Sequence, residues 1–262
     1  MSSSSPLSAD AVRGALPEMK EVLALAEAAL KDATAPSHTV ERDGDHVAIR
    51  EAGGDVVLRA DAEAFEAVRD GVTVALSAKA LGDPDAEVIT ILGCDARTRC
   101  AIEALLCVYP YAERMLSFDP DVKRQEVFAD DIMTSFELAA IIPPEPYEAV
   151  VGAQILVTAM PPDGEPMIEP DWLQTGTLCV ALDGVGSFTK PALDHVDRVV
   201  TDDAARHASA GLAGMPDASA ELAAVCAGSA PGRGDDNPTI LVASHGSAVI
   251  EAALARALLA AS

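Results

Sequence analysis

From Ser8 to about Ala33 apolar positions recur every three or four residues, as in "EVLALAEAALKDA", and this spacing predicts helix. Ser8 is a good N-cap, and Pro17 suits the first turn of a second helix. Three short runs follow, "SHTVER", "DHVAIRE" and "DVVLRA", which have strand character. The turn signals "DGD" and "AGGD" between them favour an antiparallel meander. A helical pattern resumes from Asp61 to Leu81, and "GDPDAE" ends it.

The rhythm then changes. "VITILG" is a continuous apolar run of the kind found in strands buried on both faces of a parallel sheet. A helix is predicted from about Arg97 to Val108, a strand at "RMLSF" and a helix around Val122 to Ala129. "LAAIIPP" reads as a strand, "PYEAVVGA" as a helix and "QILVTAMPP" as another strand. "LCVALDG", "DRVVTDD" and "TILVASHG" continue the series, with alanine-rich helices between the later ones. Strands alternating with helices through short loops imply an α/β fold with a right-handed, doubly wound parallel sheet. Ligands of such sheets sit at the carboxyl ends of the strands. The loops of interest are therefore 93–98, 117–119, 158–162, 183–187 and 244–246.

Composition narrows the function. The 262 residues are half hydrophobic, enough for a large core, and the mean hydropathy is +0.21. The 42 acidic against 18 basic residues give a net charge of −24, a surface that repels nucleic acid and anionic membrane. No run approaches the length of a membrane span, and "MSSSSPLSAD" lacks a signal-peptide pattern, so a cytoplasmic location is expected. Cys94, Cys100, Cys107, Cys179 and Cys226 form an odd set without CxxC spacing, and the five histidines are dispersed. No metal site can be drawn, and burial of four of the thiols is the expectation.

Several segments, in order, resemble the ornithine cyclodeaminase and mu-crystallin superfamily of NAD(P)-dependent imine-reducing and amino-acid-converting enzymes. "AQILVTAMPPDGEPMIEPDWLQTG" is similar to that family's strand, Thr-Ala-Thr-Pro loop and Trp-Leu-x-x-Gly segment. "DHVDRVVTDD", "ELAAVCAGSAPGR" and "ILVASHGSAVIEAALARALL" resemble the segments that follow, and "LSADAVRGAL" resembles the opening helix. The resemblance implies a Rossmann-type sheet domain over 82–245. It also implies a smaller α+β domain, formed by 1–81 and 246–262, that binds substrate and mediates a homodimer. NAD or NADP is the implied cofactor, and a small amino or imino acid the implied substrate.

The family's phosphate loop, Gly-x-Gly-x-Gln-Ala-Arg, lines up with "GCDARTR". Gly93 and Arg99 match, while Asp95 stands at the second glycine, Arg97 at the glutamine and Thr98 at the alanine. The resemblance thus assigns the cofactor to Gly93, Cys94, Arg97, Thr98 and Arg99, to Ser117 after the next strand, and to Thr158, Ala159 and Met160. A carboxylate at Asp95 adds bulk and like charge beside a diphosphate, a repulsion of about 1 to 4 kcal/mol. Arg97 and Arg99 either offset it by pairing with Asp95 or phosphate, or the loop carries only a salt bridge. At the next strand end Asp119 disfavours a 2′-phosphate, and Lys123 or Arg124 offers an offset. Of the family's carboxylate-binding basic residues only Arg69 has a counterpart; His38 stands at the Pro-x-Arg position, and Asp70 replaces a threonine. For the catalytic acid, strict register gives Val185, and Asp183 fits with a small shift.

"ASHGSAVIEA" has a strand-turn-helix outline but lacks Gly-x-Ser-x-Gly, so Gly246 is expected to form a tight turn and Ser244 or Ser247 to cap the last helix. Two readings remain. One is an NAD(P)-dependent oxidoreductase-type enzyme with Arg69 and Asp183 in catalytic roles. The other is a catalytically silent relative with a degenerate cofactor loop, serving as a dimeric scaffold or binding protein.

Overall fold

The computed structural model describes residues 5–32, 37–51, 54–210 and 215–261. Helix α1 (Ala9–Ala15) starts where the Ser8 side chain accepts from the Ala11 amide. Helix α2 (Met19–Lys31) buries Val22, Leu23, Ala26 and Leu30 along one stripe. Its N-cap is Glu18, so Pro17 lies outside the first turn rather than in it. The expected helix end at Ala33 falls outside the described residues. Strands β1 (His38–Asp43), β2 (His46–Glu51) and β3 (Val56–Asp61) form the antiparallel meander read from the turns. Helix α3 (Ala62–Leu81) follows, its N-terminus capped by the Asp61 carboxylate on the Ala64 amide.

The second part alternates as expected: β4 (Val88–Leu92), α4 (Ala96–Val108), β5 (Arg114–Phe118), α5 (Val122–Phe136), β6 (Ala139–Ile141), α6 (Pro146–Val150) and β7 (Ile155–Thr158). After these come β8 (Leu178–Ala181), α7 (Lys190–His195), β9 (Arg198–Thr201), α8 (Ala204–Ser209), the short β10 (Ala220–Glu221), α9 (Leu222–Cys226), β11 (Ile240–Ala243) and α10 (Ala248–Ala261). Two differences from the sequence reading stand out. Helix α5 continues past Ala129 because nothing breaks it before Glu137, which turns left-handed at φ 55°. Strand β10 is too short to leave a pattern.

The eight strands of the large sheet are ordered β10-β9-β11-β8-β7-β4-β5-β6 and all pair in parallel. Chain order runs outward from β4 through β5 and β6, then restarts on its other side at β7. The β4–β7 seam is thus the topological switch point, where doubly wound sheets bind ligands. Both faces are buried, which explains the unbroken apolar runs. Ile89, Ile91, Ile155, Val157, Leu178 and Val180 join one cluster, and Leu92, Leu156, Cys179, Ala181, Leu241 and Ala243 join the other. The first cluster continues without a break through α3 into Val47, Ile49 and Leu58 of the small sheet.

Candidate active site

At the seam, Gly93 follows β4 with φ +92°. A Cβ there would stand 2.5 Å from the Ala159 carbonyl oxygen, so only bare backbone lets the ends of β4 and β7 meet. Asp95 is the N-cap of α4. Its carboxylate accepts from the amides of Arg97 (2.9 Å) and Thr98 (3.0 Å), while the Thr98 hydroxyl closes the capping box with the Asp95 amide. These first-turn amides are the donors a diphosphate takes at a helix N-terminus. Here a side-chain anion already holds them. Arg97 lies across the mouth, with Nε 2.8 Å from Asp95 Oδ2 and its two terminal nitrogens 3.2 Å from the carbonyls of Leu182 and Ala159. A cleft of about 300 Å³ opens beside this pair, lined by Arg42, Glu63, Glu66, Asp95, Ala96 and Arg97.

One strand over, half-buried Asp183 follows β8. It accepts from the hydroxyls of Thr158 (3.0 Å) and Ser187, and from the Met160 amide at 3.4 Å. Burial raises its pKa, against those hydrogen bonds. On the other side of the seam, Asp119 is buried just beyond β5. Its carboxylate accepts from the Cys94 amide (2.8 Å), the Asp121 amide and both prongs of Arg124. Burial opposes its charge, yet Arg124 and the two amides hold its pKa below the ordinary value.

A second charge cluster joins the sheet to α3 and α10. Arg69 bonds Asp70 at 2.8 Å and Glu251 at 3.0 Å, and Arg206 bonds Glu251 at 2.8 Å. Burial disfavours the Arg69 charge, but Asp70 and Glu251 raise its pKa overall. Burial pushes Asp70 up to about 6 against the pull of Arg69. Asp202, beyond β9, accepts from the Ser244 hydroxyl and the amides of His245 and Gly246, and burial raises its pKa. Gly246 makes the expected turn at φ +81°. Ser247 caps α10 through the Ile250 amide, whereas Ser244 is bound to Asp202.

The structure therefore brings Gly93, Arg97, Thr98, Thr158, Ala159, Met160 and Asp183 to one mouth, while Arg69 stands in the second charge cluster, against Asp70, Glu251 and Gly246. Cys94 contributes its amide; its thiol is buried, with a pKa pushed up to about 12 by burial and by Asp119 beside it. Two expected residues stand elsewhere. Ser117 is inside β5 and fully buried, and the strand ends beyond it, so Asp119 is the side chain at that strand end. Arg99 turns to α5, bonding Asp131 at 2.6 Å and stacking 5.2 Å from the Phe136 ring. Of the cysteines, Cys94, Cys100 and Cys179 are buried, Cys226 half-buried and Cys107 exposed. No group of three metal-ligating side chains occurs among the described residues. Sequence reasoning missed Asp202, Arg206, Glu251 and the pairing of His207 with His245. Asp202 was findable, standing directly after a strand in "VVTDD"; Arg206 and Glu251 lie 45 residues apart and leave no local signal.

A parallel sheet with a glycine turn and convergent polar groups at its switch point defines a Rossmann-class α/β protein. The profile of the ornithine cyclodeaminase/mu-crystallin family matches residues 49–260. The chain belongs to that family. It is 29% identical over 202 residues to an uncharacterized cyclodeaminase of Sinorhizobium fredii, covering 72% of this chain and 60% of that protein. It is 27% identical over 211 residues to an alanine dehydrogenase of Archaeoglobus fulgidus, covering 75% and 63%. The matches thus span about six-tenths of these curated relatives' length. Among solved structures, the Thermococcus litoralis Δ1-pyrroline-2-carboxylate reductase in complex with NADH and L-proline superposes with a TM-score of 0.80 at 19% identity, covering 98% of this chain and 96% of that one. An archaeal alanine dehydrogenase dimer with bound NAD superposes at 0.79 and 20% identity, covering 98% and 95%. At such identities the likeness shows the shared fold.

Proposed function

We propose that the chain carries out its family's kind of chemistry: NAD(P)-linked conversion of a small amino or imino acid by imine reduction, amino-acid dehydrogenation or cyclodeamination. The observation that carries this reading is the meeting of strand-end loops at the switch point, where Gly93 presses bare backbone against Ala159 and Asp183 is bonded to Thr158. Gly93, Cys94, Arg97, Thr98 and the Thr158–Met160 loop would hold the dinucleotide, which would supply or accept a hydride when bound. Gly93 leaves bare backbone for such a group, and the α4 amides would be open to its diphosphate where the Asp95 carboxylate is displaced from them. Arg97, paired with Asp95 in the structure, would then serve as the phosphate's counter-ion. Arg69 anchors the substrate carboxylate. A guanidinium has five N–H donors, and the three bonds to Asp70 and Glu251 leave two for a ligand. The proton that accompanies hydride transfer is handled at Asp183 or a residue beside it.

The layer formed by 1–81 and 246–262 serves substrate binding and homodimerisation, and 82–245 the dinucleotide, in a cytoplasmic protein. No helix among the described residues is long and apolar enough to cross a membrane. One observation favours the second reading, a catalytically silent dimeric scaffold: the helix amides are already taken by Asp95. Titration of the purified protein with NADH and NADPH, followed by nucleotide fluorescence and melting temperature, separates the two. Saturable binding below about a millimolar with matching stabilisation supports the enzyme. A folded dimer that responds to neither nucleotide supports the scaffold.

A further inference from the structure

Two histidines at the carboxyl ends of the sheet form a pair whose proton positions follow from their partners. His207 Nε2 lies 3.1 Å from the Pro216 carbonyl oxygen, which only accepts, so that nitrogen carries hydrogen. In neutral His207 the other nitrogen, Nδ1, is then an acceptor. It lies 3.0 Å from His245 Nε2, which must donate to it. Neutral His245 is left with a bare lone pair on Nδ1, which has no hydrogen-bond partner among the described residues. Nε2 and Nδ1 of His207 and Nε2 of His245 are thus all engaged, and Nδ1 of His245 is the nitrogen of the pair left open to exchange a proton.

The backbone places His245 on the strand end neighbouring the mouth. His245 follows β11, the strand next to β8, in a register that pairs Ala243 with Ala181. The ends of β11 and β8 are neighbours in the sheet, about 4.8 Å apart, and His245 and Asp183 each lie two residues past the paired Ala243 and Ala181. Its neighbour Gly246 is so close to the substrate-anchor helix that a Cβ there would lie 2.8 Å from Arg69 Nη1. Asp202 clamps the amides of both His245 and Gly246, which fixes the turn. The charged groups facing His245 are Asp203 and Arg206 on the α8 side and Asp202 on its amide, and next to Gly246 lies Arg69, paired with Asp70 on α3 and Glu251 on α10. Asp183, by contrast, has its oxygens engaged by Thr158, Ser187 and Met160, and ties β7 to β8.

We propose that His245 exchanges the substrate's amino proton through Nδ1, with His207 as its positioning residue; this rests on the function proposed above. In the oxidative direction an N–H bond of the substrate ammonium breaks, its electron pair stays on nitrogen, and the proton bonds to Nδ1. The amine's α-carbon then loses hydride to the oxidised dinucleotide and becomes an iminium. In the reductive direction the same nitrogen returns the proton once the carbon has received hydride. Burial holds the His245 pKa below the ordinary histidine value, which favours the neutral base.

The test compares wild type with His245→Asn, His245→Gln and His207→Asn. The assay is oxidation of L-alanine, L-proline and L-ornithine by NAD or NADP across pH, with dinucleotide affinity and melting measured in parallel. The expected result is a 10²- to 10⁴-fold loss of kcat in both His245 variants, disappearance of the acid limb of the pH profile, and unchanged dinucleotide affinity. His207→Asn keeps the limb but moves it. Nitrogen NMR of the wild-type imidazoles provides a check that needs no variant: His245 carries its neutral-pH hydrogen on Nε2. An active wild type with His245 variants of undiminished kcat overturns the proposal and leaves the proposed function standing, as does a hydrogen found on Nδ1. A wild type that neither binds dinucleotide nor oxidises any substrate overturns both.

Discussion

Replacing Asp95 with glycine tests the reading of the phosphate loop most directly. In the wild type the Asp95 carboxylate occupies the amides of Arg97 and Thr98 and pairs with the Arg97 guanidinium at 2.7 Å. Any diphosphate arriving there meets a like charge and donors already in use. The repulsion alone is about 1 to 4 kcal/mol, and at about 1.4 kcal/mol per decade its removal tightens nucleotide binding roughly 5-fold to several-hundred-fold. The folded chain gives up little in exchange. An N-cap changed to glycine costs a few tenths of a kcal/mol. The partner side chains are 30% and 37% exposed, so their ion pair is worth about 1 kcal/mol or less. Fluorescence titration of wild type and Asp95→Gly with NADH and NADPH reads the affinity, and urea unfolding without nucleotide reads the cost. A variant that folds with less than about 2 kcal/mol lost, yet binds no tighter than wild type, refutes the argument.

Three further outcomes follow from the buried charges. Asp70 has a folded pKa of about 6 against an ordinary 3.8, so the native state binds more protons than the unfolded chain between those values. Stability therefore falls as pH rises through that window, by roughly 3 kcal/mol at most; Asp70→Asn should flatten this stretch of the stability–pH curve, and an unchanged curve would show that burial there is not felt. Asp119 has the opposite sign: its depressed pKa gives stability that is present above the ordinary carboxylate range and lost on acidification through the folded value. Acid unfolding of Asp119→Asn should accordingly be shallower than that of wild type. Asp202→Asn leaves three donors facing a poorer acceptor and should cost about 1–3 kcal/mol by urea unfolding, whereas a loss below about half a kcal/mol would remove Asp202 as the clamp of the 244–246 turn.

The sheet was legible because its strands are short apolar runs between breakers, and burial on both faces leaves no other way to write them. The switch-point loops were legible for the same reason, since a strand's end in sequence is its end in space. What failed was side-chain direction. Arg97 and Arg99 were interchangeable as partners for Asp95, yet two residues on a helix are about 200° apart around its axis, so one crosses the mouth and the other meets α5. Counting from the glycine loop gave Ser117 as the ribose position, but β5 continues through Phe118 and the acid comes next. The family was recognisable from ordered segments, because loops and strand ends keep their spacing where single residues have changed. The Arg69–Glu251–Arg206 cluster joins elements far apart in the chain, and no local pattern encodes it.

Helix α3 supplies Phe65, Val72 and Leu76 to the same core that holds the small sheet and β4 together. A shared spine of this kind couples the two layers through one core. Thermal unfolding should therefore pass in one cooperative step instead of layer by layer.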